Sequence, residues 1–188
     1  MTFLTAELTF TALWLLIRII VWVRQKHVDW KREALLLLMF INLAVIIRFA
    51  FFPRDLVDGH VQPLAFDAAK LRSLRVNLHP FRHLFDYNNT RDLIWNLAGN
   101  AAMFVPSGII LPIIYRKLDR FWKVLGTGAL ISLCIEILQL PFASRASDID
   151  DLVLNVFGVA VGYGIYVAVK RVKRKGTKKQ VREQDQKN

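Results

Sequence analysis

Three groups of polar side chains interrupt the hydrophobic blocks of this sequence, and their types and spacing suit hydrogen bonding or proton transfer. Asn96 and Asn100 are four residues apart, which places both on one face of a helix. Glu136 and Gln139 are three residues apart and also share a face. The third group has spacings of three and four and comprises Asp148, Asp151 and Asn155. Amides and carboxylates bind polar head groups, and a carboxylate also acts as a general base.

The hydrophobic blocks around these groups are long enough to cross a membrane. Hydrophobic residues make up 54% of the 188-residue chain, which disfavours a water-soluble fold. Five blocks approach the roughly 20 residues that a helix needs to span a hydrocarbon core of about 30 Å. They cover approximately 3–23, 34–52, 92–114, 122–141 and 150–169. The predicted fold class is therefore all-α, a polytopic membrane helix bundle with about five transmembrane helices.

The net charge of +11 lies beside and after the hydrophobic blocks, which indicates a lipid bilayer as partner and no nucleic acid. Segments 24–33 and 115–123 hold four Lys or Arg each, and nine more follow residue 169. The loop 142–149, between two spans, has only Arg145. Because basic loops stay in the cytoplasm, the N-terminus is predicted outside and the C-terminus cytoplasmic, in a multi-pass protein of the cell membrane.

This topology predicts that the three polar groups meet at the outer boundary of the bilayer. The third and fifth spans begin there and the fourth ends there. The predicted pocket comprises Asn96, Asn100, Glu136, Gln139, Arg145, Asp148, Asp151 and Asn155. Two interpretations stay open at this point. The groups form a hydrogen-bond network that fixes helix packing, or they bind the head group of an amphipathic ligand.

Other polar residues of the chain predict structure more than chemistry. Glu7 and Arg48 lie at similar depths in the first two spans, which predicts an ion pair between them. Gly158 and Gly162 form a small-xxx-small pair suited to close helix contact. The single cysteine excludes an intramolecular disulfide and a cysteine-based metal cluster. His79 and His83 precede the third span but form no compact ligand motif, so neither a metal nor a cofactor is predicted.

Three ordered motifs resemble the VanZ-like family of small multi-pass membrane proteins. They are NLAGNAAMFVPSGIILP at 96–112, IEILQ at 135–139 and RASDIDDLVLNVFGVAVGY at 145–163. The resemblance implies an accessory protein that lowers susceptibility to teicoplanin and related lipoglycopeptide antibiotics. It also implies a VanZ-like transmembrane domain over residues 1–170. Residues 171–188 are then a basic cytoplasmic tail, expected to be disordered beyond about residue 175.

Three kinds of function are compatible with these observations. In the favoured one, the protein binds a lipoglycopeptide or a lipid-linked ligand in the outer pocket and catalyses nothing. In the second, it is a membrane enzyme that modifies a lipid head group or a cell-wall precursor, with Glu136 or an aspartate as general base. In the third, it is a transporter subunit. The residues leave open the ligand, the occurrence of a reaction and the oligomeric state.

The predicted topology is testable with two fusions. A reporter fused after Asn188 should report a cytoplasmic location, because nine basic residues follow the last span. An epitope tag before Met1 should be accessible to antibody on intact spheroplasts. Both termini on the same side would require an even number of spans and would separate the three polar groups.

Overall fold

Five long helices form most of the computed structural model, which describes residues 2–25, 27–52, 56–57, 60–61, 63–67, 69, 76–77, 90–142 and 147–185. The helices are α1 (Phe3–Arg24), α2 (Trp30–Phe51), α3 (Thr90–Ile114), α4 (Phe121–Gln139) and α5 (Ile149–Asp185). Within the described residues, all five are long and apolar enough to cross a membrane. The prediction of an all-α bundle with five spans is confirmed, whereas the orientation of its termini stays a prediction.

Short extended segments flank the helices at one end of the bundle. β1 (Leu56–Val57) pairs with β2 (His60–Val61) in an antiparallel ladder. β3 (Val76–Asn77) pairs in parallel with β4 (Ser147–Asp148), which leads directly into α5. The segment between α2 and α3 is therefore connected to the start of α5. His79 and His83 lie outside the described residues.

The centre of the bundle is the parallel contact between α3 and α5. A Cβ atom added to Gly158 would overlap the carbonyl oxygen of Ala101, and one added to Gly162 would overlap that of Val105. Gly108 on α3 meets the backbone of α5 equally closely. Glycine lets two helix backbones approach to this distance, which strengthens van der Waals packing where lipid supplies no hydrophobic driving force. The predicted role of Gly158 and Gly162 is confirmed.

The predicted ion pair between Glu7 and Arg48 is wrong. The Arg48 guanidinium donates to the carbonyl oxygen of Phe52 at 3.0 Å and lies 4.8 Å from the centre of the Phe3 ring. Arg48 thus turns toward the nearby end of its own helix, where it reaches the interface at less cost. Glu7 has no hydrogen bond or ion pair with any residue that the structure describes.

The ion pair between the first two helices lies instead at their other end. Arg18 of α1 donates two hydrogen bonds to the carboxylate of Glu33, one of them from Nε at 3.0 Å. Both side chains are only 11% exposed. Glu33 lies directly before the second hydrophobic block, so the polar residues within that block do not indicate it as the partner of Arg18. Stacking of Trp14 on Phe40, with ring centres 4.6 Å apart, completes this contact.

The last helix continues through the basic tail to Asp185, where the composition predicts an unstructured segment from about residue 175. Lys, Arg, Gln and Glu are good helix formers, and extension of an existing helix avoids the cost of nucleation. With 37 residues, α5 is about 55 Å long and extends well beyond a hydrocarbon core. The division of the chain at residue 170 stays a prediction.

The contact between α3 and α5 predicts the outcome of two matched substitutions. Gly158→Ala should destabilise the protein by about 1–3 kcal/mol, because the new methyl group forces the helices apart. Gly164→Ala, on the same helix, should leave stability unchanged or slightly higher, since a Cβ there meets nothing within 4 Å. Thermal melting in detergent measures both. Equal melting temperatures for the two variants would contradict the close contact.

The ion pair at the other end of α1 predicts a second contrast. Glu33→Gln should cost about 2 kcal/mol, because it replaces a charged acceptor of two arginine hydrogen bonds by a neutral one. Glu7→Gln makes the same chemical change on a residue without a described partner, so its melting temperature should stay at or above that of the wild type. A larger loss of stability for Glu7→Gln than for Glu33→Gln would show that Glu7 has a stabilising partner.

Candidate functional site

The candidate site lies at the end of the bundle where α3 and α5 begin and α4 ends, which we call the polar end. The opposite end, where α2 and α4 begin and α3 ends, is the basic end. Parallel packing of α3 and α5 brings their first turns together, and antiparallel α4 returns its last turns to the same place. The contacts below therefore join three helices.

Asn100 connects α3 to α5 at the polar end. Its Nδ2 donates to Oδ1 of Asp151 and, at 3.4 Å, to Oδ1 of Asn96. Asp151 and Gly158 share a face of α5, and Ala101, which Gly158 contacts, directly follows Asn100 on α3. The glycine contact thus holds the backbones close enough for this short amide–carboxylate bond. Asn96 is exposed, whereas Asn100 and Asp151 are half-buried.

Glu136 connects α4 to the start of α5. It is 5% exposed, and its Oε2 accepts the backbone N–H of Asp148 at 3.1 Å. Oδ1 of Asp148 in turn accepts the N–H of Asp150 at 3.0 Å, which caps the first turn of α5. The backbone N–H of Asp148 thus helps to hold the Glu136 carboxylate in a fixed position.

Two buried amides near this end have incomplete hydrogen bonding. Nδ2 of Asn155 donates to Oγ of Ser132 at 2.9 Å, and Nε2 of Gln139 donates to the carbonyl oxygen of Ala50 at 2.5 Å. The other amide atoms, Oδ1 of Asn155 and Oε1 of Gln139, are buried and accept no hydrogen bond within the described structure. Each oxygen is an acceptor for which the described residues provide no donor.

A separate polar network lies deeper in the bundle, and sequence reasoning missed its key residue. Asn42 of α2 donates to the carbonyl oxygen of Met103 at 2.8 Å, and its Oδ1 accepts the hydroxyl of Ser107 at 2.6 Å. Asn42 thus uses both ends of its amide. Ser107 follows Asn100 by seven residues and shares its helix face, but it bonds to α2. A lone asparagine inside an apolar block was the available signal.

The predicted site residues therefore fall into distinct contacts. Asn96, Asn100 and Asp151 form one cluster, and Glu136 and Asp148 form another. Gln139 bonds to α2 and Asn155 bonds to Ser132 of α4. Arg145 lies outside the described residues. In the described part of the chain, no three His, Cys, Asp or Glu side chains gather as a metal site. Binding of a ligand by these residues stays a prediction.

The arrangement favours ligands that donate hydrogen bonds. Carboxylate and amide oxygens predominate at the polar end, and acceptors of this kind bind hydroxyl, amide and ammonium groups. The outer surfaces of the surrounding helices are apolar, with Ile137 and Phe157 more than half exposed. A molecule with polar donors and a lipid tail matches both features.

Comparison with known proteins identifies one family. A sequence model described as VanZ/LLP1 matches residues 34–170. The chain is also 33% identical to Protein VanZ of Enterococcus faecium over 91 residues, which is 48% of this chain. It spans about half the length of that curated relative, 52%. No solved structure gives a significant match. The matched range contains every predicted site residue and excludes α1.

Proposed function

The chain belongs to the VanZ/LLP1 family, and on that premise we propose that it lowers susceptibility to teicoplanin and related lipoglycopeptide antibiotics by binding an amphipathic ligand at the polar end. The ligand is a lipoglycopeptide or a lipid-linked molecule of the cell envelope. In the predicted topology, the polar end is at the outer face of the cell membrane, where such antibiotics act. Binding there lowers the access of the antibiotic to its target.

Two buried amide oxygens, Oε1 of Gln139 and Oδ1 of Asn155, accept no hydrogen bond from the described residues. They favour this proposal over a purely structural role. A buried amide oxygen without a donor costs about 1–3 kcal/mol. A network that serves packing alone gains nothing from this cost. In the same bundle, the amide of Asn42 has hydrogen-bond partners for both its nitrogen and its oxygen. Donors supplied by a ligand, or by water that a ligand displaces, would complete the hydrogen bonding.

The charge at the polar end supports the type of ligand. Three carboxylates lie at this end: that of Glu136 near the end of α4, that of Asp148 directly before α5, and that of Asp151 in the first turn of α5. A ligand with a cationic or hydroxyl-rich head supplies the donors that carboxylate oxygens accept. The adjacent apolar helix surfaces provide a place for a lipid tail in the surrounding bilayer.

Substitution of single carboxylates by their amides tests this function. Glu136→Gln and Asp151→Asn each remove a charge but retain the oxygen that accepts the observed hydrogen bond. The proteins should therefore fold and insert normally. We expect both variants to lose protection, so that the minimal inhibitory concentration of teicoplanin in a susceptible host falls to the level of an empty vector.

The control is Glu7→Gln, which makes the same change outside the family match and should keep full protection. Membrane abundance and the melting temperature of each purified variant are measured in parallel. Full protection by both Glu136→Gln and Asp151→Asn would refute the site. A loss of protection that merely follows a loss of stability would assign these residues to packing.

A further inference from the structure

The basic end of the bundle contains a cavity that the proposed function does not use. It has a volume of about 410 Å³ and opens between the start of α2 and the end of α3. Four basic residues line it, and they come from two separate segments. Lys31 and Arg32 belong to the first turn of α2, and Arg116 and Lys117 belong to the 3₁₀ turn Arg116–Leu118 after α3.

The charged groups of these four residues are available to a ligand. All four residues are exposed, and none of their side chains forms a hydrogen bond or ion pair with another described residue. The cavity lining includes one carboxylate, Asp29. Its Oδ1 accepts the backbone N–H groups of Lys31 and Arg32 at 3.1 and 3.3 Å, as the N-cap of α2. The cavity lining thus has four cations and one carboxylate, and that carboxylate already accepts hydrogen bonds from the backbone. This balance of charge favours an anionic ligand.

The surroundings place this cavity at the depth of lipid head groups. Trp30 and Trp122, at the starts of α2 and α4, are 74% and 78% exposed. Tyr115 lines the cavity and is also exposed. Exposed Trp and Tyr side chains at the ends of spanning helices mark the interface between hydrocarbon and water. An anion that reaches this cavity therefore does so beside the lipid leaflet.

The cavity also has an apolar wall. Leu35 of α2 and Ile113 of α3 lie on the side of the bilayer core, one helical turn from the cations. A small hydrated anion gains nothing from these residues, whereas an acyl chain packs against them. The combination of clustered cations and an apolar wall fits one molecule that has both a phosphate and a hydrocarbon chain.

We propose that the cavity binds the phosphate of an anionic phospholipid in the leaflet at the basic end. The two arginines suit this role, because a guanidinium binds two phosphate oxygens at once. The lysines add point charges, and the acyl chains lie along Leu35 and Ile113. This site is at the opposite end from the polar cluster, so it does not depend on the proposed antibiotic ligand.

A double substitution with a matched control tests the site. Arg32→Gln with Arg116→Gln removes two cations from the cavity. Arg24→Gln with Arg174→Gln removes two exposed arginines from the basic end of the bundle but outside the cavity. Each full-length protein is purified in detergent and titrated with phosphatidylglycerol or phosphatidylcholine, and bound lipid is counted by native mass spectrometry. Inorganic phosphate is titrated in a third arm.

We expect the wild type to retain phosphatidylglycerol in preference to phosphatidylcholine. The cavity variant should bind phosphatidylglycerol about tenfold more weakly, whereas the control variant should bind it nearly as well as the wild type. Equal weakening in both variants would show diffuse charge attraction and overturn the site. Displacement of the lipid by inorganic phosphate at equal concentration would overturn the assignment to a lipid. Thermal melting without lipid identifies any variant that does not fold, and Lys31→Gln with Lys117→Gln then replaces it.

Discussion

The close parallel packing of α3 and α5 is the constraint on which the rest of the structure depends. Gly108, Gly158 and Gly162 remove the side chains that would separate the two backbones. In a membrane, where lipid tails are as apolar as the helix surfaces, such contact is a main source of helix association. It also sets the register of the two helices. Asn100 meets Asp151 because Ala101 meets Gly158, and α4 then closes the site from the side.

The polar side chains within the bundle differ in how completely their hydrogen bonds are satisfied. The amide of Asn42 uses its nitrogen and its oxygen, and Ser107 completes the network. Nearer the polar end, Asn155 and Gln139 each bond to described residues through the nitrogen only. Unpaired polar groups cost the most in apolar surroundings, so a purely structural network would satisfy all of them. The difference points to a role for the polar end beyond packing.

Sequence patterns predict the features of this protein that depend on hydropathy and on spacing within one helix. The five spans and the Gly158–Gly162 contact are of this kind. The error over Glu7 and Arg48 has a physical reason, because equal depth in two helices does not mean that two side chains face each other. The ion pair of Glu33 with Arg18 was not predicted, because Glu33 lies just outside an apolar block. Ser107 shares a face of α3 with Asn100 but bonds to Asn42 of α2, since this face contacts α2 as well as α5.

Charge is distributed unequally between the two ends of the bundle, and topology alone does not explain this distribution. The positive-inside rule requires only that basic residues be present in the cytoplasmic segments. It is satisfied equally well by cations that point in any direction into solvent. Lys31, Arg32, Arg116 and Lys117 instead line one cavity, from two segments 80 or more residues apart in the chain. Mutual repulsion opposes such convergence unless an anion offsets it. The residues from which the orientation of the bundle is predicted therefore also line the cavity that we propose to bind a lipid phosphate.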